Sequence, residues 1–196
     1  TSQYTLSLHD ALPISDDDTR RRLLAAARAM DGLDLRLGVV ACGWYTDHRV
    51  PLAGADGITL VRARGVLVAT GAVEQPAVFR GNDLPGVMLA SGAQRLLRRY
   101  GVRPCRRAVV LAANPEAYDA ALDLLDAGVE IAAVADLGDP PPEAAAVAER
   151  GVPVLARHGV HEARARGQRV AGVVLCPLAG DGTLDERRAR HEAVDG

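Results

Sequence analysis

The chain has 196 residues, a formal net charge of −2 at pH 7 and only 3% aromatic residues. This length can bury a core for one domain, or for one domain and part of another. The balanced charge gives no indication of nucleic acid or of an anionic membrane as a partner, and no apolar run reaches the ~18 residues of a membrane span. Cys42, Cys105 and Cys176 form no Cys-x-x-Cys pair, which argues against a zinc or disulfide site and indicates a reducing, cytoplasmic compartment.

Residues 1–15 differ in composition from the rest of the chain. They lack the basic stretch and long apolar run of a secretory signal. The segment resembles a translated sequencing-adaptor sequence, and we expect it to be non-native and without a functional role. The acidic stretch that begins with Ser15 and Asp16 predicts the N-terminus of a helix that runs to Met30.

Residues 33–61 are predicted to form a small antiparallel β-meander. Leu33 to Cys42 is apolar and rich in β-formers, and two further short strands, 50–52 and 58–61, flank a Gly-Ala-Asp-Gly turn. Because adjacent strand residues point to opposite faces, His48 is interpreted as a surface or hydrogen-bonded residue rather than as half of an acid–base pair with the preceding aspartate.

A second apolar run, from Gly65 to Ala69, predicts a buried strand that ends in a tight turn. Ala69, Thr70 and Gly71 form a small-Thr-Gly sequence, whose backbone amides can approach a ligand closely. These three residues are therefore a candidate ligand contact.

The following connector leads to a predicted helix. Ser91 and Gln94 have the spacing of a capping box at its N-terminus, and Gly101 is placed to end it. Three arginines are interpreted as its solvated face: Arg95, Arg98 and Arg99.

Residues 106–136 have the pattern of strand, tight turn, helix, turn and strand. The run Val109–Leu111 predicts a strand buried on both faces. Asn114 can cap the helix, and Pro115 suits its first position. The unit has about the ~30 residues of a βαβ unit of the dinucleotide-binding type.

The first turn of this unit departs from the Gly-x-Gly-x-x-Gly/Ala fingerprint. Of the glycine positions, Ala112 and Asn114 replace the first two, and Ala117 keeps the final small residue. Glu116 places a negative charge where phosphates would lie. Asp136, ~20 residues after the turn, is placed to accept both ribose hydroxyls and to repel a 2′-phosphate, which favours NAD over NADP. Its alternative interpretation is a solvated acid at the end of a strand.

Downstream, an alanine-rich helix over 143–150 precedes a third parallel strand at 152–155. Residues 158–165 and 169–176 alternate about a Gly-Gln turn and predict a hairpin. His158 and His161 make a poor metal pair because they point to opposite faces of a strand. No residues have the spacing of a catalytic or metal site, so none is assigned.

The segment from Val66 to Asp136 resembles the α subunit of heterotetrameric sarcosine oxidase and its FAD-dependent relatives. The family's motifs fall at Ala69–Ala72, Asn82–Ser91 and Arg99–Val102, and its first turn is also glycine-poor. The resemblance covers roughly residues 33–180. It implies an α/β fold with a Rossmann-like, NAD-type βαβ domain and a small antiparallel β-meander, as part of an incomplete flavoprotein with two dinucleotide-binding domains.

The resemblance also implies a domain division. Residues 16–104 would be the C-terminal part of the first section of an FAD domain, and residues 105–196 a truncated NAD-type domain. Thr70 and Gly71 would then lie beside the flavin, with FAD bound only when the missing N-terminal part is present. Partners would be the other subunits of a hetero-oligomeric oxidase.

The sequence and the resemblance are compatible with three functions. The first is a fragment of a flavin-dependent oxidoreductase subunit that holds NAD in amine oxidation and is inactive alone. The second is a stand-alone NAD(P)H-dependent FAD reductase of the same superfamily. The third is a non-catalytic scaffold whose degenerate turn has lost dinucleotide binding.

Overall fold

The computed structural model describes residues 17–71 and 73–196. The chain divides into two compact units, one that ends at Val73 and one that runs from Glu74 to Gly196. The predicted non-native segment 1–15 and the predicted caps Ser15 and Asp16 lie outside the described residues. The expected boundary between residues 104 and 105 stays a prediction.

The first unit contains a helix and the predicted β-meander. Helix α1 spans Asp17–Arg28, and the antiparallel strands are β1 (Val40–Ala41), β2 (Arg49–Gly54) and β3 (Gly57–Arg62). The meander is confirmed, but β1 is shorter than the predicted 33–42 because it pairs with β2 at only two positions. The β2–β3 hairpin closes through Gly57, whose φ of +116° requires glycine.

The predicted buried strand from Gly65 to Ala69 is wrong. These residues adopt no strand, and Leu67 and Val68 are exposed by 92% and 62%. A strand buried on both faces needs neighbouring strands, and the sheet of the first unit contains only β1, β2 and β3 among the described residues. The apolar composition alone therefore predicted burial that this segment does not have.

The second unit has three layers. It contains, in order, α2 (Ala90–Tyr100), β4 (Arg107–Ala112), α3 (Glu116–Asp126), β5 (Glu130–Asp136), α4 (Ala144–Glu149), β6 (Val154–Leu155), β7 (His158–Arg166), β8 (Arg169–Pro177) and β9 (Arg190–Glu192). The parallel strands lie in the order β4-β5-β6, and the antiparallel strands in the order β7-β8-β9. The predicted βαβ unit, third parallel strand and hairpin are all confirmed.

Alternate residues of β4 pack on opposite sides of the parallel sheet. Ala108, Val110 and Ala112 join the core formed with α3 and α4, whereas Val109 and Leu111 pack against the core formed with β8. All residues of β5 after Glu130 are buried, as expected for a central strand covered on both faces. The molecule is therefore the predicted α/β protein with a Rossmann-like parallel unit.

The N-terminus of α2 differs from the predicted capping box. The helix begins at Ala90, and its N-cap Leu89 offers no side-chain hydrogen bond. Ser91 lies within the first turn, where its side chain cannot cap, and the Glu74 carboxylate instead accepts hydrogen bonds from the backbone N–H groups of Ala90 and Ser91, both at 2.9 Å. The capping-box prediction is wrong, since a side chain 16 residues upstream of the helix supplies the cap.

Two side chains of helix α2 contact α3, although the sequence predicted other roles for them. Gln94 is only 4% exposed and donates to Oδ2 of Asp123 at 2.6 Å. Arg98, predicted as part of a solvated face, donates to both carboxylate oxygens of Asp123 at 2.7 Å. The predicted end of the helix is confirmed, because Gly101 has φ +62° and donates to the carbonyl of Leu97.

The polar residues after 179 return to the start of β4. β9 pairs with β8, and Val194 is 7% exposed within the second core. Oδ1 of Asp195 accepts hydrogen bonds from the backbone N–H groups of Arg106 and Arg107 at 2.9 and 2.8 Å. The C-terminal segment therefore adds a strand beside β8 and forms hydrogen bonds with the start of β4.

Candidate functional site

The candidate site lies where β4 turns into α3. Ala112 is the last residue of β4 and fully buried, and the next four residues, 113–116, are exposed. Ala117 is buried against the sheet, as the final small residue of a dinucleotide fingerprint must be for close packing of helix and strand. Exposed backbone at a helix N-terminus is a suitable place for an anionic group.

Asn114 does not cap the helix as predicted. Pro115 has helical φ and ψ of −60° and −31°, so it is the first helical residue, as the sequence predicts, but no side chain makes a capping bond. The carbonyl of Asn114 accepts the N–H of Ala117 at 3.4 Å. Asn114 therefore precedes the helix as predicted, and only the predicted capping bond of its side chain is wrong.

Asp136, at the end of β5, lies in register with Ala112 at the end of β4. It is only 5% exposed. Its Oδ2 accepts a hydrogen bond from the hydroxyl of Tyr118 at 2.5 Å, and its Oδ1 accepts one from the backbone N–H of Gly138 at 2.8 Å. Each carboxylate oxygen therefore already has a donor from the protein.

Tyr118 is the residue of this site that the sequence pattern did not reveal. It is fully buried on the helix side of the sheet, in the first turns of α3. Burial raises the pKa of its phenol, as do its hydrogen bond to Asp136 and the charge of that carboxylate, so the hydroxyl remains a donor at ordinary pH. A tyrosine inside an alanine-rich helical face was the available signal, because a buried hydroxyl needs a polar partner.

The first turn of α3 is acidic. Glu116 and Asp119 both lie in it, and both are exposed. Carboxylates at a helix N-terminus stabilise the helix through its dipole, but they repel an anionic ligand at the same place. The negative charge of the turn therefore disfavours the anionic ligand that the exposed backbone would otherwise suit.

The geometry decides how far an NAD-type dinucleotide fits the site. The exposed turn of residues 113–116 fits a pyrophosphate, with the Asn114 amide not used in capping. Asp136 does not fit a ribose in the observed conformation, because its carboxylate is buried and each oxygen is engaged. The fit is thus confined to the pyrophosphate end.

The structure places the candidate residues in two groups. Ala112, Asn114, Ala117 and Asp136 belong to the βαβ unit. The other three, Ala69, Thr70 and Gly71, belong to the unit that ends at Val73, where they are exposed and Gly71 has φ +75°. This positive φ is the conformation for which a glycine is needed.

Other kinds of site find little support in the structure. Indole Nε1 of Trp44 donates to Nδ1 of His48 at 3.3 Å, with the rings stacked, so this histidine is hydrogen-bonded as interpreted from the sequence. Within the described ranges, no group of three or more His, Cys, Asp and Glu side chains could hold a metal ion. Of the helices in residues 17–71 and 73–196, none is long and apolar enough to cross a membrane.

No protein-family model matches the chain. The sarcosine oxidase α subunit of Rhizobium meliloti is 34% identical over 123 residues, which cover 56% of this chain and 12% of the relative. That of a Corynebacterium species is 35% identical over 160 residues, covering 79% and 16%. An opine oxidase subunit of Rhizobium meliloti is 34% identical over 119 residues, covering 61% and 25%. The chain thus spans a quarter or less of the length of these curated relatives.

Solved structures share the fold at low identity. A NAD-dependent persulfide reductase from A. fulgidus has a TM-score of 0.60 and 17% identity, over 92% of this chain and 34% of its own. A FAD-dependent pyridine nucleotide-disulphide oxidoreductase from Desulfovibrio vulgaris has a TM-score of 0.58 and 14% identity, over 99% and 51%. The chain is therefore homologous to sarcosine oxidase α subunits over these residues, and it shares the fold of the pyridine nucleotide-disulphide oxidoreductases.

Proposed function

We propose that the chain is part of a subunit of a flavin-dependent amine oxidase, and that its βαβ unit holds NAD by the pyrophosphate. The observation that carries the proposal is the exposed turn at the carboxyl end of β4, which leads directly into α3. Ligands of open parallel sheets bind at this edge. Amine oxidation is proposed because the relatives are named for sarcosine, a secondary amine, and for opines.

The roles of the residues are positional. Backbone N–H groups of the turn and the Asn114 amide would face the pyrophosphate, while Ala112 and Ala117 keep the strand and helix close enough for the turn to form. Bound NAD would supply hydride-transfer chemistry. Thr70 and Gly71 would contact FAD in the whole protein, and the other subunits of a hetero-oligomeric oxidase would be the partners.

Calorimetric titration of the full chain with NAD tests the proposal. We expect a dissociation constant in the micromolar range for the wild type. Asn114→Asp, which adds a negative charge to the exposed turn, should weaken binding at least about fivefold. Gln168→Glu is the matched control, because it adds the same charge in the exposed β7–β8 turn of the same unit. No binding by a folded wild type, or equal weakening by both variants, would contradict the proposal.

A second candidate function is a non-catalytic scaffold that holds the subunits of an oxidase together. Two observations favour it: each carboxylate oxygen of Asp136 is engaged inside the protein, and two carboxylates, Glu116 and Asp119, occupy the first turn of α3. A scaffold predicts that neither NAD nor NADP shifts the melting temperature of the folded chain.

A further inference from the structure

The hydroxyl of Tyr118 lies at the tip of β5, where a Rossmann-type unit normally presents an acid to the adenosine ribose. It is 2.5 Å from Oδ2 of Asp136. The tyrosine reaches this atom from within the core, since its side chain is fully buried among residues of β4, β5 and α3. The hydroxyl therefore makes the contact that a ribose 2′-hydroxyl would make.

We propose that Tyr118 determines the dinucleotide specificity of this unit, by occupying the acceptor atom of Asp136 that would otherwise bind the ribose 2′-hydroxyl. The inference rests on the proposed function. Its consequence is that the dinucleotide is held mainly through its pyrophosphate at the turn. The unit then discriminates weakly between NAD and NADP, although Asp136 on its own predicts a preference for NAD.

The burial of the pair supports this assignment. Asp136 is 5% exposed, so a ribose reaches its carboxylate only if neighbouring groups move. Moving Tyr118 would leave a buried phenol hydroxyl without an acceptor, and an unsatisfied buried polar group is costly. Gly138 holds the other oxygen through a backbone N–H, which a rotamer change cannot remove. The cost of moving the Tyr118 hydroxyl and the bond from Gly138 to the other oxygen thus both maintain the contact between Tyr118 and Asp136.

The test is a comparison of NAD and NADP affinities of the full chain by calorimetry. We expect the wild-type affinities to lie within about tenfold of each other. Tyr118→Phe removes the hydroxyl that occupies Oδ2, so a ribose hydroxyl becomes the available donor for this oxygen once the neighbouring groups move. The preference for NAD should then rise at least about tenfold, the lower limit for a hydrogen bond to a charged group. Tyr100→Phe is the matched control, because Tyr100 is 61% exposed and its removal should leave the ratio unchanged.

Asp136→Asn provides an independent variant should Tyr118→Phe fail to fold, with folding judged by circular dichroism. If Tyr118 keeps Asp136 from the ribose, Asp136 contributes little to the discrimination between the two nucleotides. The ratio of NAD to NADP affinity of Asp136→Asn should then equal that of the wild type. A wild type that prefers NAD by more than about tenfold, with a preference lowered by Tyr118→Phe or by Asp136→Asn, would overturn the inference and leave the proposed function intact. Binding of neither nucleotide by the folded variants and wild type would overturn both.

Discussion

The carboxylate of Glu74 caps helix α2 at Ser91, with its Oε2 accepting the backbone N–H of Ser91 at 2.9 Å while Oε1 accepts that of Ala90. Glu74→Ala should lower the free energy of unfolding by about 1 kcal/mol, because two N–H groups at the helix start lose their acceptor. Thermal denaturation measures the change. Glu143→Ala is the control, since Glu143 adjoins α4 without a side-chain capping bond. Equal melting temperatures for the two variants would refute this role of Glu74.

Asp123 joins α2 to α3 and should matter more than a surface acid. Asp123→Ala leaves Gln94 buried without its acceptor, so we expect a loss of about 1–3 kcal/mol in the free energy of unfolding. Asp126 lies on the same helix as Asp123 and forms an exposed ion pair with Arg150. Asp126→Ala breaks this pair and should lower the free energy of unfolding by less than about 1 kcal/mol. Urea denaturation distinguishes them, and similar losses would mean that the Gln94 contact contributes little.

Glu116 should weaken nucleotide binding if the proposed function holds. Glu116→Gln removes a charge from the first turn of α3, so affinity for NAD should rise about two- to fivefold at low ionic strength, and less in high salt. Asp126→Asn removes the same charge at the other end of α3 and serves as the control. Calorimetry that finds the same affinity for both variants would show that the turn is not the phosphate site.

The free energy of unfolding should depend on pH through Asp195. Hydrogen bonds from the backbone N–H of Arg107 and then of Arg106 lower the pKa of Asp195, and the charge of Arg106 adds to this. A carboxyl whose pKa is lower in the folded state stabilises the fold above its unfolded pKa of about 3.9, and this contribution disappears as the pH falls through the folded value.

Melting temperatures from pH 7 downward test this dependence. The difference between the wild type and Asp195→Asn should be constant above about pH 5 and shrink below about pH 4. Asp139→Asn serves as a control at an aspartate outside this contact. A difference that grows towards acid would reverse the assigned sign.

The three thiols should react in a fixed order. Burial raises the pKa of Cys105 to about 11, with Asp195 adding to the increase and Arg103 opposing it. Burial likewise raises the pKa of Cys176, whereas Cys42 is exposed. Iodoacetamide at pH 8 should therefore label Cys42 first, and the other two at comparable rates only in urea, because the thiolate is the reactive form. Peptide mass spectrometry that finds Cys105 labelled as fast as Cys42 would contradict this order.

The parts of the fold predicted from sequence are those whose signals are local. The βαβ unit was predictable because apolar runs, Pro115 near the helix start and the glycine at 128 all lie within its own residues. The β2–β3 hairpin was predictable from its Gly-Ala-Asp-Gly turn for the same reason.

The errors arise where a distant residue decides the outcome. Glu74 lies 16 residues before the helix that it caps, so the local Ser91–Gln94 spacing was misleading. In the site, Asp136 has the position of a ribose acceptor, but Tyr118, 18 residues earlier, takes one of its oxygens. A periodic pattern identifies buried positions, but not which polar partner each buried group finds.

The bond between Asp195 and the amide of Arg107 spans 88 residues of chain. During synthesis β4 and β5 emerge before β8, so the apolar side chains of Val109 and Leu111 are present before β8 exists to cover them. Contacts between residues far apart in sequence form late in folding, and apolar sheet faces that are still uncovered associate with other chains. The nascent chain is therefore most prone to aggregation, and most in need of a chaperone, between the synthesis of β5 and that of Asp195.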